Sequence, residues 1–361
     1  MCQNPLMGVP WAAVKRIVFV SATALLTGAF SPADEPVPAP GPFDPAQFLR
    51  AEAGFSASDI QRIQRGEVIV HSLDADDATV AIAAVALIAV PPAFFLQQVR
   101  RIEEFKKSAE VLQIAKFGVP PSAADLGPLA LDKGDIDAAR ACRPGGCDLK
   151  LDARGIEKLR AVPPTGDVMA AFRTHLAEYA TGYLAQGNAA LMTYHDRGRP
   201  APLHGELERI LRAAPFIARE WPDLSTAVGS FTGKLPEGLQ NFTYWSKEKV
   251  GPRASVTITH LIIRPPTNGV AVVASKQIYA SHYATASLGL TILVDQGNAA
   301  GPRTLLIYTN RTRVDMFGGL LGGVKRTLVR SRAKSGAERM MGTLRTKLQL
   351  EYGLHGKSGP R

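Results

Sequence analysis

The sequence predicts an α+β fold with an antiparallel sheet, a long C-terminal helix and a helical insertion in the middle of the chain. Four apolar segments follow one another closely, at residues 256–264, 270–278, 288–294 and 304–310, with turn residues such as Pro-Pro-Thr-Asn-Gly between them. Linkers this short cannot hold a crossover helix, so the strands are expected to pair antiparallel. A basic helical stretch follows them, and residues 120–239 have helical composition.

Composition and charge narrow the classes of function. The chain has 361 residues, of which 46% are hydrophobic, and this is enough for a large core. Its net charge is +10, but the segment from Arg311 onward holds twelve Lys and Arg against three acidic residues, a difference of +9. Any partner that recognises basic charge is therefore expected at the last helix. That segment has no aromatic-rich basic platform, so nucleic acid is not an expected partner.

The N-terminus has the pattern of a secretory signal. Lys15 and Arg16 precede an apolar run over residues 17–30, and small residues follow, with cleavage expected after Ala29 or Ala33. An uncleaved anchor is the alternative interpretation. Residues 1–33 are thus read as a signal peptide and residues 34–45 as a stiff proline-rich linker. The mature protein is expected to be periplasmic or secreted.

The first folded elements are two short helices and a hairpin. Helices are predicted at 43–52 and 56–65, the second with Ser56 as N-cap and Asp59 in a capping box. Strands are predicted at 68–73 and 79–90. The second run ends at Pro91 and Pro92 after about a dozen residues, short of the ~20 that a membrane-spanning helix needs, so it is read as a buried strand.

The segment after this strand carries a family resemblance. Residues 84–108 read Ala-Val-Ala-Leu-Ile-Ala-Val-Pro-Pro-Ala-Phe-Phe-Leu-Gln-Gln-Val-Arg-Arg-Ile-Glu-Glu-Phe-Lys-Lys-Ser, and residues 111–117 read Val-Leu-Gln-Ile-Ala-Lys-Phe. With the closing strands and the long last helix, they resemble the START-like (SRPBCC) superfamily, which includes polyketide cyclases and lipid-transfer domains. In that superfamily a strand ends in a proline, a helical pair follows, and the chain re-enters the sheet.

The resemblance implies a fold and a kind of site. It implies a helix-grip fold over residues 46–352 and a hydrophobic cavity between the sheet and the C-terminal helix. The middle, at about 120–239, is too long for that pattern and is interpreted as a helical insertion. Residues 353–361 are expected to form a flexible tail. The superfamily has no universal catalytic residues, so the resemblance assigns no residue a role.

Two cysteines lie in the predicted insertion. Cys142 and Cys147, in Cys-Arg-Pro-Gly-Gly-Cys, are the cysteines left after removal of the signal, and in an exported protein they are expected to form a disulfide. A redox-active pair is a weaker alternative because the spacing is not Cys-x-x-Cys. Zinc binding would need further ligands, and no compact ligand motif supplies them. We therefore expect no metal and no cofactor.

Polar side chains inside the apolar strands are the candidate site. By alternation, His260 shares a face with Ile258, and Lys276 shares one with Ile278. A buried His or Lys needs a partner or a polar ligand. For any one of these residues, a solvated outer sheet face or a satisfied core histidine is the alternative interpretation and the more common one. The candidate ligand-binding residues are Tyr244, Glu248, Ile258, His260, Lys276, Tyr279, His282 and Leu290.

Two classes of function follow from this pattern. The first is an exported binding or carrier protein that holds a hydrophobic small molecule or lipid. The alternative is a cyclase- or hydrolase-like enzyme acting on a hydrophobic substrate, in which His260, Tyr279 or His282 would act as acid or base. A structural envelope protein, with a filled core and no cavity, is a third reading.

The last helix, at about 315–350, has two apolar stripes on opposite sides, which change over near Gly336. We expect a bend there, or a first half that faces the cavity and a second half that faces the insertion. Lys325, Arg326 and Arg330 are expected to be exposed on the first half and to contact an anionic membrane surface. A merely solvated face is the alternative. The stripes comprise Phe317, Leu320, Leu321, Val324 and Leu328, and Ala333, Ala337, Met340, Met341, Leu344 and Leu348.

Overall fold

The computed structural model describes residues 42–315 and 322–357, and within these the side chains outside 322–325 and 355–357. The helices are α1 (Pro45–Ala53), α2 (Ala57–Gln64), α3 (Pro92–Arg100), α4 (Ile102–Phe105), α5 (Lys133–Ala141), α6 (Ala153–Arg160), α7 (Val168–Gln186), α8 (Leu203–Arg212), α9 (Phe216–Glu220), α10 (Pro222–Gly229) and α11 (Gly322–Lys357). The strands are β1 (Ile69–Ser72), β2 (Thr79–Ile88), β3 (Val111–Lys116), β4 (Thr193–Tyr194), β5 (Ala201–Pro202), β6 (Gln240–Glu248), β7 (Ser255–Thr267), β8 (Val270–Ala280), β9 (Ala284–Asp295) and β10 (Thr304–Val314).

Eight strands form one antiparallel sheet in the order β1-β2-β10-β9-β8-β7-β6-β3. The four predicted closing strands are confirmed as β7 to β10, each somewhat longer than predicted, and each pairs with the next. β10 then pairs with β2, so the last strand closes against an early one. The mixed α+β architecture with a long C-terminal helix is confirmed.

Local sequence explains how several elements start. The capping box of α2 is present: Ser56 accepts from the backbone N–H of Asp59, and the Asp59 carboxylate accepts from the backbone N–H of Ser56. Pro91 and Pro92 end β2 and begin α3, because proline cannot continue a ladder but suits the first turn of a helix. After α3 and α4 the chain returns to the sheet as β3, at the edge beside β6.

The two faces of the sheet are covered by different parts of the chain. One face packs against α1, α2 and the helices between β3 and β6, through buried residues such as Phe172 of α7, Leu207 of α8 and Ile258 of β7. We call this the insertion face. The other face packs against α3 and α11, through residues such as Phe95 and Met341. We call this the α11 face.

The middle of the chain carries α5 to α10 and the short β4-β5 hairpin. The helix-like composition of this region predicts five helices, which are confirmed as α5 to α9 with shifted ends. The predicted ranges are 136–141, 153–161, 166–186, 203–213 and 215–221. The predicted Cys142–Cys147 disulfide is also confirmed, in the loop after α5. α10 was not predicted, although Pro222 opens it and Asp223 lies in its first turn. β6 was not predicted either, although the chain alternates there between the two sheet faces.

α11 is one continuous helix through Gly336 and contacts β1 and β2. Most of its second stripe packs on the sheet rather than on the insertion: Ala337, Met341 and Leu348 are almost fully buried, whereas Met340 is 44% exposed. The prediction that this half faces the insertion is therefore wrong, because the insertion lies on the opposite face of the sheet. Of the first stripe, Leu328 is 49% exposed. Residues 317, 320 and 321 and the side chain of residue 324 lie outside the described part.

The basic residues at the start of α11 are less exposed than predicted. Arg326 forms an ion pair of 2.6 Å with Asp77, and its side chain is 25% exposed. Arg330 donates to backbone carbonyls in the β1-β2 turn, among them that of Asp76 at 3.3 Å. Both side chains tie the helix to the β1-β2 turn. The sequence of the helix alone does not reveal these contacts, because the turn is far away in the chain. The side chain of Lys325 lies outside the described residues.

No helix in the described part of the chain is both long and apolar enough to span a membrane. The predicted signal peptide, most of the proline-rich linker and the end of the predicted tail lie outside the described residues.

Candidate functional site

The predicted pocket residues do not come together in one place. Ile258, His260, Lys276 and Leu290 are on the insertion face, where they are at most 2% exposed. Leu290 borders a void of about 10 Å³ beneath α8 and α9, which is space for about one water molecule. The alternation of β7 to β9 was predicted correctly, but the side chains on this face meet the helical insertion and not α11.

His260 and Lys276 form a buried polar cluster with the insertion. The Tyr183 hydroxyl lies 2.8 Å from His260 Nδ1, and Asn241 Oδ1 lies 3.1 Å from Nε2. Lys276 Nζ donates to Asn188 Oδ1 and to the Val228 carbonyl oxygen. These contacts tie the centre of the sheet to α7 and to the end of α10.

Burial sets the charge of this cluster. Burial, and then the nearby Lys276, lowers the pKa of His260 to about 3, so the imidazole is neutral at physiological pH. Burial lowers the pKa of Lys276 to about 7. The Lys276 ammonium lies 5.1 Å from the centroid of the Tyr183 ring, which gives it partial compensation.

Tyr279 and His282 also face the insertion. A β-bulge between β7 and β8 pairs Tyr279 with Ile258, which turns the tyrosine to the insertion face. The buried Tyr279 hydroxyl has no hydrogen-bond partner among the described residues. His282 Nε2 lies 3.2 Å from Asp135 Oδ1 on α5, and Arg253 lies 2.8 Å from the same carboxylate.

The remaining two candidates, Tyr244 and Glu248, are on the α11 face. Lys106, directly after α4, donates to Glu248 Oε1 at 2.6 Å and lies near the Tyr244 hydroxyl at 3.5 Å. Burial opposes ionisation of Glu248, but the Lys106 ammonium outweighs it and holds the pKa of Glu248 below its ordinary value. Burial likewise acts against the charge of Lys106, but Tyr244 and Glu248 outweigh it and raise its pKa. Lys106 and Glu248 therefore form an ion pair whose two charges neutralise each other.

A continuous row of polar side chains crosses five strands on this same face. The register pairs Tyr244 with Thr259, Thr259 with Gln277, Gln277 with Ser287, and Ser287 with Thr312. Directly opposed residues in an antiparallel sheet point to the same side, with Cβ atoms about 5 Å apart. We call these five residues the polar row. Tyr244 and Thr259 are buried and the other three are half-buried.

One end of the polar row is satisfied internally, and its centre is not. The Ser287 hydroxyl lies 2.7 Å from that of Thr312, and the neighbouring Asn310 donates to Ser287 and accepts from Thr312. In contrast, the buried Nε2 of Gln277 has no hydrogen-bond partner among the described residues. A buried amide donor without a partner is costly, so it marks a place where a ligand acceptor would be favourable.

Apolar rows lie beside the polar row. Towards α3 the same face carries Ile263, Val273, Leu293 and Leu306, all buried. Tyr308 stands between the two zones, and burial raises the pKa of its hydroxyl to about 12. The α11 face therefore combines an apolar zone with a strip of hydrogen-bonding groups.

Sequence reasoning missed the polar row apart from Tyr244. Its signal was present: uncharged polar residues occur at alternate positions in three successive strands, at 257 and 259, at 275 and 277, and at 285 and 287. What linked them was the register of the strands, which alternation alone does not specify.

No family model matches the chain, and a search of curated proteins finds no match.

Proposed function

We propose that this protein binds a hydrophobic small molecule or lipid on the α11 face, between the sheet and the helices α3, α4 and α11. The observation that carries the proposal is the polar row beside a buried apolar zone, with Gln277 Nε2, which has no hydrogen-bond partner in the described part of the chain, at its centre. Ligand pockets are mostly apolar and contain a few placed polar groups that orient the ligand. The ligand's apolar body would contact the zone that includes Val273 and Leu293, and its polar end would meet the row.

We also propose that the sheet with α3, α4 and α11 is a helix-grip fold of the START-like kind. The order of elements supports this: β2 ends at a proline pair, two helices follow, β3 joins the far edge, and β6 to β10 lead back to β2 before the last helix. On this view the residues between β3 and β6 are an insertion that covers the outer face of the sheet.

The proposed setting is the periplasm or the cell exterior. The Cys142–Cys147 disulfide supports it, because disulfides persist in oxidising compartments. An anionic membrane as a docking partner stays a prediction without added support, since Arg326 and Arg330 have contacts within the protein. The enzymatic alternative gains no support from His260, which lies between Tyr183 and Asn241 beneath the insertion.

Fluorescence titration with the neutral apolar dye N-phenyl-1-naphthylamine tests the proposal. Ser275 adjoins the polar row on β8, opposite Gly289, and Ser287 belongs to it. Ser275→Trp and Ser287→Trp should each fill the α11 face and weaken dye binding by about tenfold or more, because the indole occupies the ligand's place. Ser335→Trp, at an exposed position of α11, is the matched control and should bind like the wild type.

Circular dichroism of each variant checks that the fold is retained, and the second tryptophan variant serves if the first does not fold. Absence of saturable dye binding by the wild type would contradict the proposal. So would unchanged binding by both folded variants, which would put the dye elsewhere.

A further inference from the structure

The side chains of the polar row indicate what kind of polar group the ligand carries. The row consists of Tyr, Thr, Gln, Ser and Thr, so it contains no carboxylate, ammonium or guanidinium group. A half-buried row of neutral donors and acceptors solvates a hydroxyl, ketone or amide well. It solvates a carboxylate or phosphate poorly, because a buried charge needs an opposite charge nearby.

The cations at the β6 end of the row are already engaged. Lys106 lies 2.6 Å from Glu248, and the same carboxylate accepts from Ser246 at 2.5 Å. Lys116 of β3 donates to the carbonyl oxygen of Arg100, and its ammonium lies 4.7 Å from the centroid of the Phe242 ring. An anionic ligand at the row would meet the Glu248 carboxylate beside Lys106, and the repulsion would offset the attraction of the cation.

The centre of the row offers a donor. Gln277 lies between Thr259 and Ser287 in the register, and its buried Nε2 is the row's unpartnered nitrogen among the described residues. On the β10 side, the hydroxyls of Ser287 and Thr312 and the amide of Asn310 form hydrogen bonds with one another. An acceptor placed over β8 would complete the hydrogen bonding of the strip without breaking any of these contacts.

We infer that the ligand's polar end is an uncharged hydrogen-bond acceptor, a ketone, ester or amide carbonyl or a hydroxyl, that accepts from Gln277 Nε2. The inference rests on the proposed function and specifies the class of ligand for the same site. The site would then favour neutral amphipathic ligands over fatty acids and phospholipids, because the row has no opposite charge to pair with their charged groups. Glu248 then acts as a selectivity residue, since it cancels the charge of Lys106.

Competition between two probes of equal chain length tests the inference. Decan-2-one and decanoate are titrated against bound N-phenyl-1-naphthylamine at pH 7.5. The wild type should release the dye at a ketone concentration at least about tenfold below that of the carboxylate. Gln277→Leu keeps the size of the side chain, and should lower the affinity for the ketone by about tenfold while that for decanoate changes less, with the dye's affinity for the variant measured separately to place both probes on one scale.

A second variant changes the charge and not the amide. Glu248→Gln leaves the Lys106 ammonium without its carboxylate, so decanoate should gain about tenfold in affinity while the ketone changes little. Glu110→Gln removes an exposed carboxylate just before β3 and is the matched control, with no expected change for either probe. Either variant alone tests the inference if the other does not fold.

The outcomes separate this inference from the proposed function. If the wild type binds no dye, the proposed site itself fails. In another outcome the dye binds, decanoate displaces it as well as the ketone does, and Gln277→Leu changes the affinity of neither competitor. The proposed site would then stand, and the inference that the ligand's polar end is uncharged would be refuted. If Glu248→Gln leaves decanoate unchanged, Glu248 has no part in selectivity.

Discussion

Lys276 allows a quantitative test of the buried cluster on the insertion face. Its Nζ is fully buried, and the groups that accept its hydrogen bonds, Asn188 Oδ1 and the Val228 carbonyl, are neutral. Burial lowers the lysine pKa from 10.5 to about 7. A shift of this size corresponds to roughly 5 kcal/mol against the charged form in the folded state.

The sign of the pH dependence follows from proton binding. In the unfolded chain Lys276 holds its proton up to about pH 10.5, whereas in the folded protein it loses the proton above about pH 7. Between these values the unfolded state binds more protons, so the free energy of unfolding rises with pH. The rise is about 1.4 kcal/mol per pH unit, or on the order of 2–3 kcal/mol between pH 7 and pH 9.

Lys276→Met removes this pH dependence of the unfolding free energy while keeping an unbranched side chain. The variant leaves Asn188 and the Val228 carbonyl with one bond fewer, which is a cost independent of pH over this range. His260 contributes little to the slope between pH 7 and pH 9, because its pKa of 6.5 in the unfolded chain and of about 3 in the folded protein both lie below this range. The difference in unfolding free energy, wild type minus variant, should therefore increase by on the order of 2–3 kcal/mol from pH 7 to pH 9.

Urea unfolding at pH 6, 7, 8 and 9, followed by tryptophan fluorescence, measures this difference. Lys133→Met, at a position where the side chain is 88% exposed, is the control and should give a difference that does not change with pH. A flat difference for Lys276→Met over the same range would refute the argument, since it would mean that the buried ammonium keeps an ordinary pKa.

Two further substitutions test the packing. Leu348→Ala should lower the free energy of unfolding by about 2–5 kcal/mol because this side chain is fully buried under α11, whereas Leu350→Ala, 63% exposed on the same helix, should change it by less than about 0.5 kcal/mol. Equal losses in urea unfolding would mean that α11 does not dock as described. Asp135→Asn should cost about 2 kcal/mol because the buried Asp135 carboxylate loses its charge-assisted contact with Arg253, whose side chain is 35% exposed. The exposed Asp137→Asn on the same helix should cost less than about 1 kcal/mol. A silent Asp135→Asn in the same assay would show that the pair adds nothing to stability.

Features that depend only on residues close together in the chain could be predicted from the sequence. The strands β7 to β10 follow from apolar segments bounded by turn residues, and α2 follows from Ser56 and Asp59. The Cys142–Cys147 disulfide follows from two cysteines close together in the chain. β6 escaped prediction because its alternation includes Ser246, Lys247 and Glu248, which look like a solvated segment until Lys106 and Asp132 are seen to pair with two of them.

The sequence by itself determined the strands β1, β2 and β7 to β10, the antiparallel pairing of the last four, the helical middle and the presence of two apolar stripes on α11. Alternation also showed that His260 and Lys276 share faces with aliphatic residues. Only the tertiary structure decided what covers each face of the sheet. The insertion covers the face that carries Lys276, and α11 packs on the opposite face through residues such as Met341. Periodicity within a strand distinguishes two sides but does not say what packs on either, and strand register depends on contacts far apart in the chain. For that reason the polar row, made from five strands, exists only in the folded protein.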